Sequence, residues 1–309
     1  MPSPEPHAQT CLSLAEDPAR PLIRLRDIHK GFGGPAVHQG VCLDIPRGRV
    51  TVLLGPSGTG KSVLLKLVVG LLRPDAGEVW FDDHRIDQLP ERQLVTLRKR
   101  VGFLFQMAAL FDSLDVGANI EFPLVEHTQL KPAERAKRVA RVLELVGLPG
   151  IERKMPAELS GGQRKRVALA RAVVLEPCLI LYDEPTTGLD PMSSDVINEL
   201  MGALSREMGL TSVAVTHDLV SARKIGDRFV LLSDGKVVAE GAPAEFDASP
   251  DPLVRRFMDG QADPDDIARI RQAFGPGSVR AAAQRQAVPF PRPERRRKPR
   301  RPPVQGAAG

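Results

Sequence analysis

Eight consecutive residues in the first quarter of the chain could bind a phosphate group. They are Gly55, Pro56, Ser57, Gly58, Thr59, Gly60, Lys61 and Ser62. Glycines let successive backbone N–H groups turn toward one anion, and the N-terminus of a following helix adds partial positive charge. In this pattern the lysine reaches the β- and γ-phosphates, and the last hydroxyl can ligate Mg²⁺. The segment therefore predicts binding of a nucleoside triphosphate together with Mg²⁺.

A second candidate group follows a short apolar run later in the chain. Residues 179–182 are typical of a buried strand, and two acids follow them, Asp183 and Glu184. The C-terminal edge of a parallel sheet is where such sheets bind ligands. We expect Asp183 to hold Mg²⁺ and Glu184 to orient or deprotonate an attacking water. The alternative is a strand that ends in an acidic pair at the surface. The presence of the phosphate-binding segment makes this alternative the weaker interpretation.

The elements that would position these groups alternate between strands and helices. Short apolar runs predict buried strands at residues 50–54, 179–182 and 212–216, and helical patterns follow at residues 61–72 and 193–208. This alternation predicts an α/β fold with a largely parallel sheet. Residues 89–174 show helical periodicity with many Arg and Lys on the polar sides, which predicts a helical insert. Asp234 and Gly235 predict the turn of a hairpin.

Five residues of the helical insert carry a resemblance to a known family. Leu159-Ser160-Gly161-Gly162-Gln163, together with the two groups above, resembles the ATP-binding subunits of ABC transporters. The resemblance covers residues 22–245. It implies an α/β P-loop NTPase with a RecA-like core, an antiparallel β subdomain and a helical ABC subdomain at about residues 89–174. It also implies that ATP and Mg²⁺ are bound and that ATP hydrolysis is coupled to transport.

The same resemblance implies the roles of further residues. Gln106 looks like the glutamine that contacts metal and water, and His217 looks like the histidine beside the γ-phosphate. The implied catalytic residues are therefore Glu184, His217 and Gln106, and the implied metal ligands are Ser62, Gln106 and Asp183. Phe32 looks like the aromatic residue that stacks on adenine, and a core aromatic is the alternative.

A final group of implied nucleotide contacts belongs to a second copy of the chain. Ser160 precedes a helix predicted to begin near Gly162, so it offers a hydroxyl and N–H groups at a positive helix end. In the family this end faces the γ-phosphate of ATP bound by the other subunit. The residues implied at that contact are Ser160, Gly161, Gly162, Gln163 and Asp190.

A narrower resemblance begins directly after Gln106. Residues 107–116 read M-A-A-L-F-D-S-L-D-V and residues 119–124 read N-I-E-F-P-L, similar to a stretch of the Mla-type ATPases. Residues 250–260 are similar to the C-terminal extension of that family. Asp115 stands where the family has Thr or a similar residue, and Val63 stands where Thr is more usual. The resemblance implies an ATPase that powers phospholipid transport between the inner and outer membranes.

The narrower resemblance also implies partners and a location. The partners are an integral-membrane permease of the MlaE type, an MCE-domain lipid-binding protein and a second copy of the chain. The location is peripheral, on the cytoplasmic face of the bacterial inner membrane. Leu110, Phe111 and Leu114 would form an apolar socket for the permease, and internal packing of the helical insert is the alternative.

Three other functions remain as alternatives to phospholipid transport. The first is the ATPase subunit of an ABC transporter for another solute. The second is a soluble ABC protein of translation or DNA repair, which the single phosphate-binding segment and the lack of long coiled coils or zinc-hook cysteines disfavour. The third is a P-loop protein without turnover, against which Lys61, Asp183, Glu184 and His217 argue together.

Composition limits the remaining function classes. The 309 residues are 42% hydrophobic, which is enough for a sizeable core, and the formal net charge is +5. The positive excess lies in residues 285–309, so the rest of the chain predicts no specific nucleic-acid binding. Cys11, Cys42 and Cys178 lack metal-ligand spacing. The longest apolar stretch is shorter than the about 20 residues of a membrane-spanning helix.

The chain divides into four predicted segments. They are a disordered lead-in at 1–21, the ABC ATPase domain at 22–245, a C-terminal helical extension at 246–275, and a basic, Pro- and Arg-rich disordered tail at 276–309. The tail could be a solvated end, could contact anionic lipid headgroups, or could bind nucleic acid nonspecifically. The histidines outside the motifs, His38 among them, are expected at the surface or in loops.

Overall fold

The computed structural model describes residues 20–262 and 264–273, which form ten strands and ten α-helices. The strands are β1 (Pro21–Lys30), β2 (His38–Pro46), β3 (Val50–Leu54), β4 (Ala76–Phe81), β5 (His84–Arg85), β6 (Val101–Leu104), β7 (Leu179–Asp183), β8 (Thr211–Val215), β9 (Arg228–Ser233) and β10 (Lys236–Gly241). The helices are α1 (Lys61–Val68), α2 (Glu91–Arg98), α3 (Val116–His127), α4 (Pro132–Leu145), α5 (Gly161–Val173), α6 (Pro191–Met208), α7 (Leu219–Ile225), α8 (Pro243–Asp247), α9 (Pro252–Met258) and α10 (Pro264–Ala273).

Six strands form the sheet that carries the candidate site. Their order is β10-β9-β3-β8-β7-β6, and all neighbours are parallel except the edge pair β10 and β9. Strand β3 is buried along its whole length, because apolar side chains cover both of its faces. The parallel arrangement brings the C-terminal ends of β3, β7 and β8 to one edge of the sheet.

Four strands form a second, antiparallel sheet in the order β2-β1-β4-β5. Its inward side chains alternate with polar ones, and Leu25 of β1 lies between Leu43 of β2 and Val79 of β4. These residues belong to one core cluster with Leu53 of β3 and Leu65 of α1. The other face of the six-stranded sheet packs in a second cluster, which includes Val52 and Leu54. The predicted α/β fold with a separate antiparallel sheet is confirmed.

The predicted helical insert at 89–174 contains a strand that its periodicity did not indicate. Residues 101–104 form β6, which pairs in parallel with β7 and therefore belongs to the main sheet. The helices α3, α4 and α5 all lie after this strand. Asp115 caps the N-terminus of helix α3, and its carboxylate accepts a hydrogen bond from the N–H of Ala118 at 2.7 Å. Asp115 therefore caps the helix, and Asp is among the residues most favoured at this position.

The C-terminal helices α8 and α9 belong to the same compact unit as the two sheets, and the described residues from Ala262 onward belong to a second unit. Phe246 packs edge-on against Phe229 of β9 at 5.5 Å between ring centroids, and Val254 and Met258 join the core. The predicted extension therefore shares the core of the ATPase domain as far as α9. The predicted tail at 276–309 and residues 1–19 of the predicted lead-in lie outside the described residues.

Candidate nucleotide-binding site

The phosphate-binding segment connects β3 to α1 as a tight loop. Gly55, Gly58 and Gly60 have φ angles of 145°, 83° and 87°, a region that L side chains rarely adopt. A Cβ on Gly55 would lie 2.2 Å from the carbonyl oxygen of Leu232, so only glycine fits there. The loop residues 55–60 then pass directly into α1 at Lys61.

Lys61 is held inside the loop that it follows. Its side chain is 7% exposed, and Nζ donates to the carbonyl oxygens of Gly55 and Pro56, both at 2.8 Å. Burial lowers the pKa of Lys61, against the opposing charges of Glu184 and Asp183. A cation is thus present at the centre of the loop, where the phosphate-binding pattern requires one.

Ser62 and Asp183 meet although 121 residues separate them in the chain. Ser62 Oγ donates to Asp183 Oδ1 at 2.7 Å. Asp183 is the last residue of β7, and Ser62 lies in the first turn of α1. A hydroxyl and a carboxylate are oxygen donors of the kind that Mg²⁺ prefers, so this pair fits the expected metal.

Glu184 follows β7 in a strained backbone conformation that several bonds hold in place. Its φ is 51°, and its N–H donates to the carbonyl oxygen of Val215 at 3.0 Å. Its carboxylate Oε2 accepts from Thr187 Oγ1 at 3.1 Å and lies 2.8 Å from His217 Nδ1. Strain of this kind persists where the surroundings over-determine the conformation, and it is common at functional sites.

An open cavity of about 520 Å³ brings most of these groups together. It is lined in part by Phe32, Lys61, Ser62, Gln106, Glu184 and His217. Three glycine-loop residues also line it, so the structure gathers around one space nine of the residues that the sequence analysis assigned to nucleotide, metal or catalysis. Gln106 enters from the loop after β6, and His217 enters from the end of β8.

Phe32 stands at the rim of the cavity, in the loop between β1 and β2. Its side chain is 59% exposed, and Lys30 Nζ lies 5.3 Å from its ring centroid. Lys30 forms an ion pair with Asp75 at 2.6 Å, and Asp75 also accepts from the N–H of Gly31 at 2.7 Å. The ring is therefore no core aromatic, and Asp75 anchors the loop that presents it.

Ser160 caps helix α5, close to the start predicted for that helix. Its Oγ accepts from the N–H of Gln163 at 3.2 Å, and Gln163 Oε1 accepts from the N–H of Ser160 at 2.9 Å. Asp190 caps α6 in the same way by accepting from the N–H and Oγ of Ser193. A Cβ on Gly162 would lie 3.1 Å from Ser193 Oγ, so the first turns of α5 and α6 lie close together.

The residues expected to contact a second nucleotide do not join the cavity. Within the described ranges the lining residues of that cavity include none of Ser160, Gly161, Gly162, Gln163 and Asp190. These residues instead form one surface at the beginnings of α5 and α6. One copy of the chain thus presents the two halves of the expected contact at separate places.

Two residues near the site escaped the sequence analysis. His38, expected at the surface or in a loop, is fully buried in β2 beside Gly60, and burial lowers the pKa of its imidazole. A Cβ on Gly60 would lie 2.7 Å from its Cε1. Lys165 was one of many basic residues on a helix, yet it is 5% exposed and reaches the site. Neither residue stands in a motif, so no sequence signal distinguished them.

Comparison with known proteins decides the family. A family model described as "ABC transporter" matches residues 38–187. The Intermembrane phospholipid transport system ATP-binding protein MlaF of Escherichia coli (strain K12) is 43% identical over 242 residues, which cover 78% of this chain and 90% of that protein. The chain belongs to the ABC transporter family. The predicted resemblance to Mla-type ATPases is thereby confirmed, as is the ATPase class.

Other ABC proteins are similar over comparable lengths. The Probable ribonucleotide transport ATP-binding protein mkl of Mycobacterium leprae is 43% identical over 77% of this chain and 69% of its own length. A dimeric, post-hydrolysis structure of the ATP-binding cassette MJ0796 bound to ADP and Pi covers 71% of this chain and 98% of that chain, with 35% identity and a TM-score of 0.67. The structure of cbiO1 from Clostridium perfringens has 30% identity and a TM-score of 0.69, and it covers 82% of this chain and 99% of that chain.

Proposed function

We propose that this chain hydrolyses ATP to power phospholipid transport between the inner and outer membranes through a separate MlaE-type permease and an MCE-domain protein. The identity of 43% with MlaF over 90% of the length of that protein carries the proposal, since its name assigns it to intermembrane phospholipid transport. The cavity supports the ATPase part, because cation, hydroxyl, carboxylates and imidazole all line or adjoin one space.

The phosphate loop would exchange its internal bonds for bonds to ATP. Lys61 Nζ now donates to the carbonyl oxygens of Gly55 and Pro56, and it would donate to the β- and γ-phosphates instead. The backbone N–H groups of residues 55–62 would surround the phosphates, with the start of α1 adding partial positive charge. Phe32 would stack on adenine from the rim of the cavity.

Ser62, Asp183 and Gln106 would hold Mg²⁺, which when bound neutralises charge on the phosphate oxygens. The hydrogen bond between Ser62 and Asp183 already places two of these donors together. Glu184 would orient the attacking water and take its proton, because its carboxylate faces the cavity and is held by Thr187. His217 would donate a hydrogen bond toward the γ-phosphate from its place beside Glu184.

A second copy of the chain would complete the site. Ser160, Gly161, Gly162 and Gln163 lie at the positive end of α5, away from the cavity of their own chain, and Asp190 lies beside them. Facing a second copy, this end would meet the γ-phosphate bound there. The dimeric form of the similar cassette MJ0796, bound to ADP and Pi, supports such an arrangement.

The permease would dock on the apolar residues that follow Gln106. Phe111 is 44% exposed and packs against Phe122, also exposed, at 5.1 Å between ring centroids. Leu110 and Leu114 are half-buried beside them. No helix of the described residues is long and apolar enough to span a membrane. We propose a peripheral location at the cytoplasmic face of the inner membrane, where the docked permease would hold the chain.

Transport of another solute by the same kind of complex is the second candidate. It is favoured by the 43% identity with mkl of Mycobacterium leprae, whose name assigns it to ribonucleotide transport. This chain covers 69% of that protein and 90% of MlaF, which makes phospholipid the better supported substrate.

The deciding experiment is purification of the tagged chain from membranes in mild detergent, with mass spectrometry of the proteins and lipids that accompany it. We expect a permease, an MCE-domain protein and phospholipid. Recovery of a different permease without phospholipid would retain the ATPase assignment and reject the lipid. A Lys61→Ala chain purified in parallel controls for association that depends on nucleotide.

A further inference from the structure

Lys165 lies inside the protein, between the two loops that carry Gln106 and Glu184. It is the fifth residue of helix α5, and its side chain is 5% exposed. Its Nζ donates to the carbonyl oxygen of Gln106 at 2.6 Å and to the carbonyl oxygen of Glu184 at 3.3 Å. One ammonium group therefore joins the backbones of both residues.

Keeping this ammonium group buried is costly, because burial disfavours the charged form. Burial lowers the pKa of Lys165 to about 8, although Asp183 and Glu184 oppose the shift. Surface lysines of a helix need no such compensation. The two carbonyl bonds and the two nearby carboxylates together offset the cost of this position.

The segments that Lys165 joins both contain strained backbone. Glu184 has a φ of 51°, and Ala108 and Ala109, which follow Gln106, have φ angles of 62° and 50°. Arg171, six residues further along α5, donates to the carbonyl oxygens of Ala108 and Ala109 at 3.1 and 2.8 Å. Helix α5 thus holds the loop after β6 at two places.

We propose that Lys165 is a positioning residue that fixes Gln106 and Glu184 relative to each other and ties both to helix α5. The proposal rests on the roles assigned to Gln106 and Glu184 above. Helix α5 is capped at its N-terminus by Ser160, which would contact ATP bound by the second copy. A displacement of the Ser160 end would therefore be transmitted along a single helix to Glu184 at the other nucleotide.

Replacement of Lys165 should impair turnover without impairing nucleotide binding. Lys165 is absent from the lining residues of the cavity, so ATP affinity has no direct reason to change. Displacement of a reacting group by about 1 Å costs up to about 100-fold in rate. We expect Lys165→Met to lower kcat for ATP about 10- to 100-fold and to leave the Kd for radiolabelled ATP within about threefold. Lys165→Arg, which keeps a cationic donor in a larger head group, should retain at least about threefold more kcat than Lys165→Met.

Arg166→Met is the matched control. Arg166 is the next residue of α5, and it also donates to two backbone carbonyls, those of Val146 and Gly147, both at 3.3 Å. Those carbonyls follow α4 and are no part of the cavity lining. This variant should therefore keep kcat within about threefold, even where its loss of thermal stability equals that of Lys165→Met.

All variants are assayed in the full chain purified with its membrane partners. Unchanged kcat in Lys165→Met, equal loss in Arg166→Met, or a kcat of Lys165→Arg no higher than that of Lys165→Met would overturn the proposal. Glu184→Gln, measured in parallel, keeps the two questions apart. If Glu184→Gln turns over normally, the assigned roles fail and the proposal fails with them. If it is inactive while Lys165→Met is normal, only the positioning role of Lys165 fails.

Discussion

Alanine at Gly60 and alanine at Gly58 should differ in cost, because the two positions share a backbone conformation and differ in their surroundings. Their φ angles are 87° and 83°. A Cβ on Gly58 would meet nothing within 4 Å. A Cβ on Gly60 would lie 2.4 Å from Val37 Cγ1 and 2.7 Å from His38 Cε1.

The expected losses of stability follow from two costs, that of the left-handed backbone and that of steric overlap. A left-handed conformation costs an L residue about 1–2 kcal/mol, and both variants bear that cost. Overpacking of a rigid site adds about 1–3 kcal/mol, and only Gly60→Ala bears it. His38 is fully buried in β2 and has little room to retreat. We therefore expect a loss in the free energy of unfolding of about 1–2 kcal/mol for Gly58→Ala and about 2–5 kcal/mol for Gly60→Ala.

Urea unfolding of the full chain measures the difference. Trp80, the single tryptophan, lies in β4 of the same antiparallel sheet as His38 and reports its loss by fluorescence. A double variant, Gly60→Ala with Val37→Ala, should recover part of the deficit, since it removes the shortest contact. Equal losses in Gly58→Ala and Gly60→Ala, or no recovery in the double variant, would refute the steric reasoning.

Three further predictions concern polar residues of the nucleotide site and one buried carboxylate. Glu184→Gln should lower ATP turnover about 10²- to 10⁴-fold and retain binding of radiolabelled ATP, and normal turnover would reject the role of Glu184 as the base. Lys61→Ala, in contrast, should lose binding of ATP. Ser62→Ala should raise the Mg²⁺ concentration for half-maximal hydrolysis about tenfold, and an unchanged Mg²⁺ titration would contradict its role as a ligand. Asp82→Asn should cost about 1–3 kcal/mol of unfolding free energy at pH 7, because Asp82 is 9% exposed and bonded to Arg47 and Arg100. Asp83→Asn is the control and should cost under about 1 kcal/mol, because it breaks only exposed ion pairs. Burial alone would raise the pKa of Asp82, but Arg100 and Arg47 hold it below its ordinary value, so this difference should be full at neutral pH and disappear as pH falls through the lowered pKa.

Those parts of the nucleotide site that lie in one short run of residues, or at the ends of predicted strands, could be predicted from the sequence. The loop from Gly55 to Ser62 identifies itself by its glycines and by the strand and helix around it. Asp183 follows an apolar run, and a parallel sheet brings strand ends together, so its proximity to Ser62 follows from the sequence pattern. The strand at residues 101–104 was missed because it has four residues and lies between helical patterns.

The amino-acid sequence by itself determined the family, the fold class and the residues of the phosphate loop, because each depends on a short run of residues in fixed order. Only the tertiary structure decided the environment of His38 and Lys165. A helical or strand pattern tells which residues share a face, but which loop approaches that face depends on long-range packing. The ammonium of Lys165 bonds to carbonyls 59 residues before it and 19 residues after it, and such contacts leave no local trace in the sequence.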